Sequence, residues 1–299
     1  MKQLMYCIVI LTAYCSIQAM SNQSSFDKEL FNAVHNNDIL QVKQLIDAGA
    51  NVNTSDDSGY MPLHKAVQQG HSGIIKVLLD AGCNVNAVVK NVTRNTALHI
   101  AVNYDHKESV KLLLEAHVNV NITNTFNETA LHAAVFKSST AIVKLLLNTD
   151  ADSDVHAPSW NKETPLSWAM SLGNTDIIDV LKQYMMLESR MATSPKEVID
   201  TAIRLGHLIL VKKALQKVVL TVQDLGCYNQ LLQSLYKQTG DKIYQSIGKQ
   251  LSEYALGKAR IEKLIKEASC AVGIAIPYPL AQQIAIYYAQ TNAKGFLYF

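Results

Sequence analysis

The chain has 299 residues, 48% of them hydrophobic and 17% charged, with 27 Lys plus Arg against 25 Asp plus Glu. This length accommodates two modules, and the apolar content excludes a disordered chain. A formal charge of +2, with no basic cluster denser than Lys212-Lys213, argues against a nucleic-acid surface.

The first segment is predicted to be removed. Lys2 precedes an apolar stretch from Leu4 to Ala13, followed by Tyr14-Cys15-Ser16-Ile17-Gln18-Ala19. A basic start, a short apolar run and a small closing residue are the layout of a secretory signal peptide over residues 1–19. The run is shorter than the roughly 20 residues that span a bilayer. Cleavage after Ala19 puts Ile17 at the third position back. The alternatives are a lipoprotein at Cys15, where Tyr14 is bulky for that role, and an uncleaved anchoring helix. Without the segment the chain keeps 26 basic and 25 acidic residues. It is expected to work outside the cytoplasm.

From Asp56 to Val88 runs a 33-residue unit that recurs, degraded, along most of the first 185 residues. Leu63-His64, Leu98-His99 and Leu131-His132 are followed by Leu166-Ser167, at steps of 35, 33 and 35. A closing marker runs Asn53, Asn86, Asn121, Asp154, at steps of 33, 35 and 33. Two markers on one period identify a repeat architecture. Within the unit, Pro62 opens a short helix where a missing N–H costs nothing. Leu63, Ala66 and Val67 form its apolar stripe, Gly70-His71 breaks it, and Ile74, Ile75, Val77, Leu78 and Leu79 supply a second helix. Gly82 suits a left-handed cap, and the polar stretch from Asn84 reads as a protruding hairpin loop. Two helices this short cannot bury their apolar faces alone, so neighbouring units must stack. Two-residue insertions are read at Val89-Lys90 and at Ala157-Pro158.

The unit resembles the ankyrin repeat in Met61-Pro62-Leu63-His64, Gly70-His71 and Val77-Leu78-Leu79. The third copy keeps Thr96-Ala97-Leu98-His99 but has Arg94, Asp105 and His117 where the family prefers Gly. The fourth has Thr129-Ala130-Leu131-His132 with Ser138-Ser139 for Gly-His, and the fifth has Thr164-Pro165-Leu166 with Ser167. Leu30 to Asn53 is a half-unit lacking the Pro-Leu-His start, as a capping repeat would be. The resemblance covers residues 23–184. It implies an all-α ankyrin solenoid of about five units, the first a degenerate cap, over residues 20–184; residues 185–299 are read from their own apolar spacing as an α-helical C-terminal module, with diverged repeats continuing the solenoid as one reading. The resemblance further implies that His64, His99 and His132 are structural, bonding backbone of adjacent hairpins. His71 and His106 hold the break between the two helices.

The last 115 residues lose the signature and stay helical. Val198, Ile199, Ala202 and Ile203, then Gly206-His207, then Leu210, Val211, Ala214 and Leu215 keep the rhythm. Leu231, Leu232 and Leu235, then Gly240-Asp241, then Ile243, Ile247 and Leu251 keep it again. A helix near Lys258–Ser269, a break at Ala271–Pro279 and an apolar helix near Leu280–Gln290 follow. The two prolines and two glutamines in Ala271–Ala289 argue against a membrane span. Residues 20–184 carry 12 basic and 17 acidic side chains, and residues 185–299 carry 14 and 8. Two solvated surfaces of different bias account for this asymmetry; docking of one module on the other or an anionic partner would use it. Cys83, Cys227 and Cys270 remain after the leader, too few and too scattered for a disulfide framework or a metal site. Cys83 is read as core filler, and a Cys227–Cys270 pair is left open.

No Gly-x-Gly-x-x-Gly, phosphate loop, His-Glu-x-x-His or Gly-x-Ser-x-Gly occurs, so neither catalytic residues nor a cofactor nor a metal is expected. By the family's register, hairpin tips and first helices carry the partner-facing positions. Here these are Tyr60, Gln68, Gln69, Asn103, Tyr104, Phe126, Phe136 and Trp160. Aromatics on such a face are interface anchors; for Phe126, Phe136 and Trp160 the competing role is packing between irregular repeats. The expected function is an exported, non-enzymatic scaffold that binds a protein. The alternative is an enzyme or toxin-like C-terminal module targeted by the repeats. The expected location is secreted or periplasmic, or delivered into a host cell, since the resemblance extends to exported ankyrin proteins of host-associated bacteria. Sequons at Asn22, Asn53, Asn91, Asn121 and Asn127 are read as chance, because Asn53 and Asn121 hold a repeat position.

Overall fold

The computed structural model describes residues 25–148, 152–218, 220, 222–240, 243–255 and 257. The expectations for the leader 1–19, for the segments beyond Lys258 and for Cys270 lie outside the described residues. Among the described residues every regular element is an α-helix, with a lone bridge between Val88 and Thr96. They fall into two compact units.

The first unit comprises residues up to Leu146 and Ala151–Ile178. It opens with α1 (25–35) and α2 (Ile39–Asp47), the capping pair. Then come α3 (Pro62–Gln69) and α4 (Ser72–Asp80), α5 (Ala97–Asn103) and α6 (Lys107–Glu115), and α7 (Ala130–Phe136) and α8 (Thr140–Asn148). α9 (Pro165–Ser171) leads into α10 (Thr175–Arg190). The first helix of each pair starts from an extended residue, Met61, Thr96, Thr129 or Thr164, with Pro62 and Pro165 at the first helical position. First helices pack on first helices, α3 on α5, α5 on α7 and α7 on α9, while α2, α4 and α6 line up behind them. The shared core is Leu63, Leu98 and Leu131 with Val67, Val102 and Val135, closed by Ile74, Leu78, Val110, Leu113, Ile142 and Leu146, all buried.

Three left-handed turns per repeat fix the register. Asn37, Gly70, Asp105, Ser138 and Gly173 end the first helices; Gly49, Gly82, His117 and Asp152 end the second; Gly59, Arg94, Asn127 and Lys162 close the hairpin tips, all at positive φ. The backbone demand therefore persists where the glycine has been lost. This register corrects two sequence readings. Asp152 is the counterpart of His117, so the second two-residue insertion lies between Asn148 and Asp152, not at Ala157-Pro158. Asp154 then aligns with Asn51, Asn84 and Asn119 rather than with Asn53, Asn86 and Asn121. The hydrogen bonds agree: Asn86 Oδ1 accepts from Asn119 N at 2.8 Å and Asn121 Oδ1 accepts from Asp154 N at 2.9 Å. Cys83, expected in the core, is half-buried, and burial pushes its thiol up to about 11.

The second unit holds Leu147–Asp150 and the chain from Asp179 onward. α11 (Pro195–Leu205) ends at Gly206 with φ 74°, and His207 caps α12 (Leu208–Leu215). This is the geometry of the repeats without their signature, buried through Val198, Ile199, Ala202, Ile203, Leu210, Val211 and Ala214. α13 (Val222–Thr239) and α14 (243–255) follow, separated by Gly240. Lys196 pairs with Asp224 at 2.8 Å, and Tyr254 Oη donates to Val218 O at 2.9 Å. No helix among the described residues is long and apolar enough to cross a membrane.

A non-glycine residue held in the left-handed region costs about 1–2 kcal/mol. His117 is exposed at φ 55°. His117→Gly should therefore stabilise the protein by roughly 1 kcal/mol, net of the entropy a glycine loses on folding, seen as a higher urea midpoint.

Candidate protein-interaction surface

The face formed by hairpin tips and first helices is positioned by the buried histidines. His64 Nε2 donates to Ala87 O at 3.0 Å, His99 Nε2 to Glu128 O at 2.9 Å and His132 Nε2 to Glu163 O at 3.2 Å, each reaching the hairpin of the following repeat. The opposite nitrogen, Nδ1, accepts from the backbone N–H that opens its own helix, Met61, Thr96 or Thr129. Each ring is thereby held as the neutral tautomer with its proton on Nε2. In the fifth repeat Ser167 Oγ accepts from Thr164 N and donates to Thr164 O, so its bonds stay inside one turn. The tips are tied directly as well: Lys90 N donates to Gly59 O, Thr125 N to Thr93 O and Trp160 N to Phe126 O. One turn further, His106 caps α6, its Nδ1 donates to Val67 O at 2.9 Å, and its ring lies against Gly70. His71 holds the matching cap of α4.

On this frame the expected contact residues divide into two groups. Towards the N-terminal side, Gln68 Nε2 donates to Tyr104 Oη at 2.9 Å, and Gln69 Nε2 lies 2.7 Å from His35 Nδ1. Asn103 is half-buried and Tyr104 is 51% exposed; both line a groove of about 400 Å³ with Lys107, Lys137, Ser138 and Ser139. Tyr60 is packed within its own repeat: half-buried, edge-on to His64 with ring centroids 6.2 Å apart, and covered by Lys65 Nζ at 4.4 Å.

Phe126, Phe136 and Trp160 form the second group, 53%, 63% and 78% exposed. Phe126 and Trp160 sit on consecutive tips, and Phe136 ends α7. Trp168, which the sequence reading passed over, completes this end. It occupies the α9 position matching Lys65, Ile100 and Ala133, and it is half-buried. Its Nε1 donates to Glu163 Oε2 at 2.7 Å, and its ring meets Phe136 at 6.2 Å and His132 at 5.4 Å. Asn121 Nδ2 donates to Asp152 O and Asn127 Nδ2 to Pro158 O, so two of the sequon amides link neighbouring repeats. Among the described residues no group of three His, Cys, Asp or Glu gathers as metal ligands would.

A model described as ankyrin repeats (3 copies) matches residues 30–124 and 117–191, more than half of the chain. The chain belongs to the ankyrin-repeat family. No curated protein matches it. Ankyrin repeats generally mediate protein–protein interaction, and fold alone names no partner.

The histidines make the ankyrin stack acid-sensitive. Burial lowers the pKa of His64, His99 and His132 below 6.5, against the opposing effect of the carbonyls they bond. The unfolded chain then binds protons that the folded one refuses, so stability is complete above about pH 6.5 and lost progressively below it. Urea midpoints should be flat above that pH and fall beneath it, and His99→Gln should flatten the fall. His207 in the second unit acts in the same direction, its pKa lowered by burial to about 4.

Proposed function

We propose that this protein is an exported, non-enzymatic ankyrin scaffold that binds a partner protein through its hairpin-tip and first-helix face. The centre of contact is the aromatic end at Phe126, Phe136, Trp160 and Trp168. The observation that carries this reading is the exposure of three of these large side chains on adjacent repeats. Each stands more than half in water, although neighbouring core positions of the same repeats are fully covered. Large, rigid aromatics surrounded by polar residues are the usual anchors of protein interfaces, because they bury much area for little lost rotamer entropy. Gln68, Gln69, Asn103 and Tyr104 would form the polar remainder of the face. Export is supported by the leader layout of Lys2, the apolar run and Ala19.

The experiment is a variant series against a partner captured with the mature chain and then purified. Phe136→Ala and Trp160→Ala should each weaken binding by about 1–2 kcal/mol or more by titration calorimetry, with melting temperatures close to the parent. Lys76→Ala and Lys111→Ala, on second helices, should bind as the parent does. Equal affinity for Trp160→Ala and Phe136→Ala would move the interface elsewhere. For export, intact mass from the native host should give a chain beginning near Met20, and residues 1–19 should export a reporter. A full-length mass would point to delivery without cleavage.

A further inference from the structure

The aromatic end is tied to one titratable side chain. His132 is fully buried, its Nε2 bound to the carbonyl of Glu163. The carboxylate of that same Glu163 accepts from Trp168 Nε1, and the Trp168 ring packs edge-on against both His132 and Phe136. One histidine therefore touches, directly or through Glu163, what holds Trp168 and Phe136 in place. We propose that protonation of His132 opens this corner, so that the aromatic interaction site is assembled at neutral pH and comes apart in mild acid. The proposal rests on the reading of this face as the interface, and it supplies that site's regulation.

The proton can enter only at Nδ1, since Nε2 already carries one. Nδ1 is the acceptor for Thr129 N at 3.2 Å, and the Thr129 hydroxyl lies 3.0 Å away. A second N–H there sets two donors face to face and leaves the amide opening α7 without a partner. It also puts a charge into a site closed to water, which is stable only if the ring moves out. The charged and titratable groups around the ring set how far burial disfavours its cation. From the preceding hairpin it is faced by Glu128, from the loop before the next repeat by Asp154, from the next hairpin by Glu163, and from α5 by His99. Glu128 and Asp154 favour a cation at His132, whereas at His99 the facing ring is His132, which disfavours one. The carboxylates thus oppose the burial that lowers the His132 pKa, and Trp168 is the side chain that reports its protonation.

The test needs no partner, so its outcome is separate from that of the interface variants. In the full chain carrying Trp160→Phe, Trp168 is the sole tryptophan. Acrylamide quenching of Trp168 should rise about twofold between about pH 7.5 and about pH 5 while far-UV helicity holds. Adding His132→Gln should remove the transition, and adding His99→Gln should leave it. A flat profile, or a transition unmoved by His132→Gln, would overturn the proposal. If His132→Gln does not fold, amide exchange in the unsubstituted chain decides. Protection over Glu163–Ala169, corrected for the intrinsic effect of pH, should fall in acid ahead of that over Ala97–Asn103; equal or absent loss overturns the proposal.

Discussion

The structure depends on one constraint: helices of 7–9 residues that can neither nucleate nor bury a core alone. Each is stable only because the next repeat covers it. The histidine ladder turns that dependence into directed bonds, since one imidazole both caps its own helix and reaches the hairpin of the following unit. A Leu at the preceding position, buried in each of repeats two to four, supplies the apolar contact at the same point. Packing and polar satisfaction thus act together at a single dipeptide. A net hydrogen bond of this kind contributes about 1 kcal/mol, whereas leaving the buried ring unpaired costs more, which keeps the tips in register.

The same arrangement explains how the residues of this face can vary. Tips and first-helix ends are held by backbone bonds such as Trp160 N to Phe126 O, so the side chains there are not needed for stacking. Trp160 and Phe126 project from a fixed ladder, and Phe136 from the end of a fixed helix. Where a tip side chain packs within its own repeat it is withdrawn from the surface, as with Tyr60 against His64 and Lys65.

Much of this was legible in the residues. The period, the short helices and the α11–α12 pair followed from apolar spacing and the Gly-His breaks, and the structural role of His64, His99 and His132 was what the ankyrin resemblance implied. What the sequence hid had physical causes. Asp154 can stand for either of two asparagines spaced two residues apart, and only its bond to Asn121 Oδ1 says which. Arg94, Asp105 and His117 looked like departures from the pattern, yet the surrounding packing holds them in the left-handed turn that Gly would take. Trp168 was missed because its position holds Lys65, Ile100 and Ala133 elsewhere, so no repeat pattern marks it. Tyr60 looked like a free tip because nothing local shows that a ring can lie edge-on to a buried histidine four residues later.

If stability in the first unit is carried between neighbours, a core lesson in one repeat must be felt in the next. Leu98→Ala, expected to cost about 2–5 kcal/mol, tests this by native-state amide exchange across residues 62–171. The account predicts lost protection in α3 and α7 as well as in α5 and α6. Loss confined to α5 and α6, with α3 and α7 protected as in the parent, would contradict it.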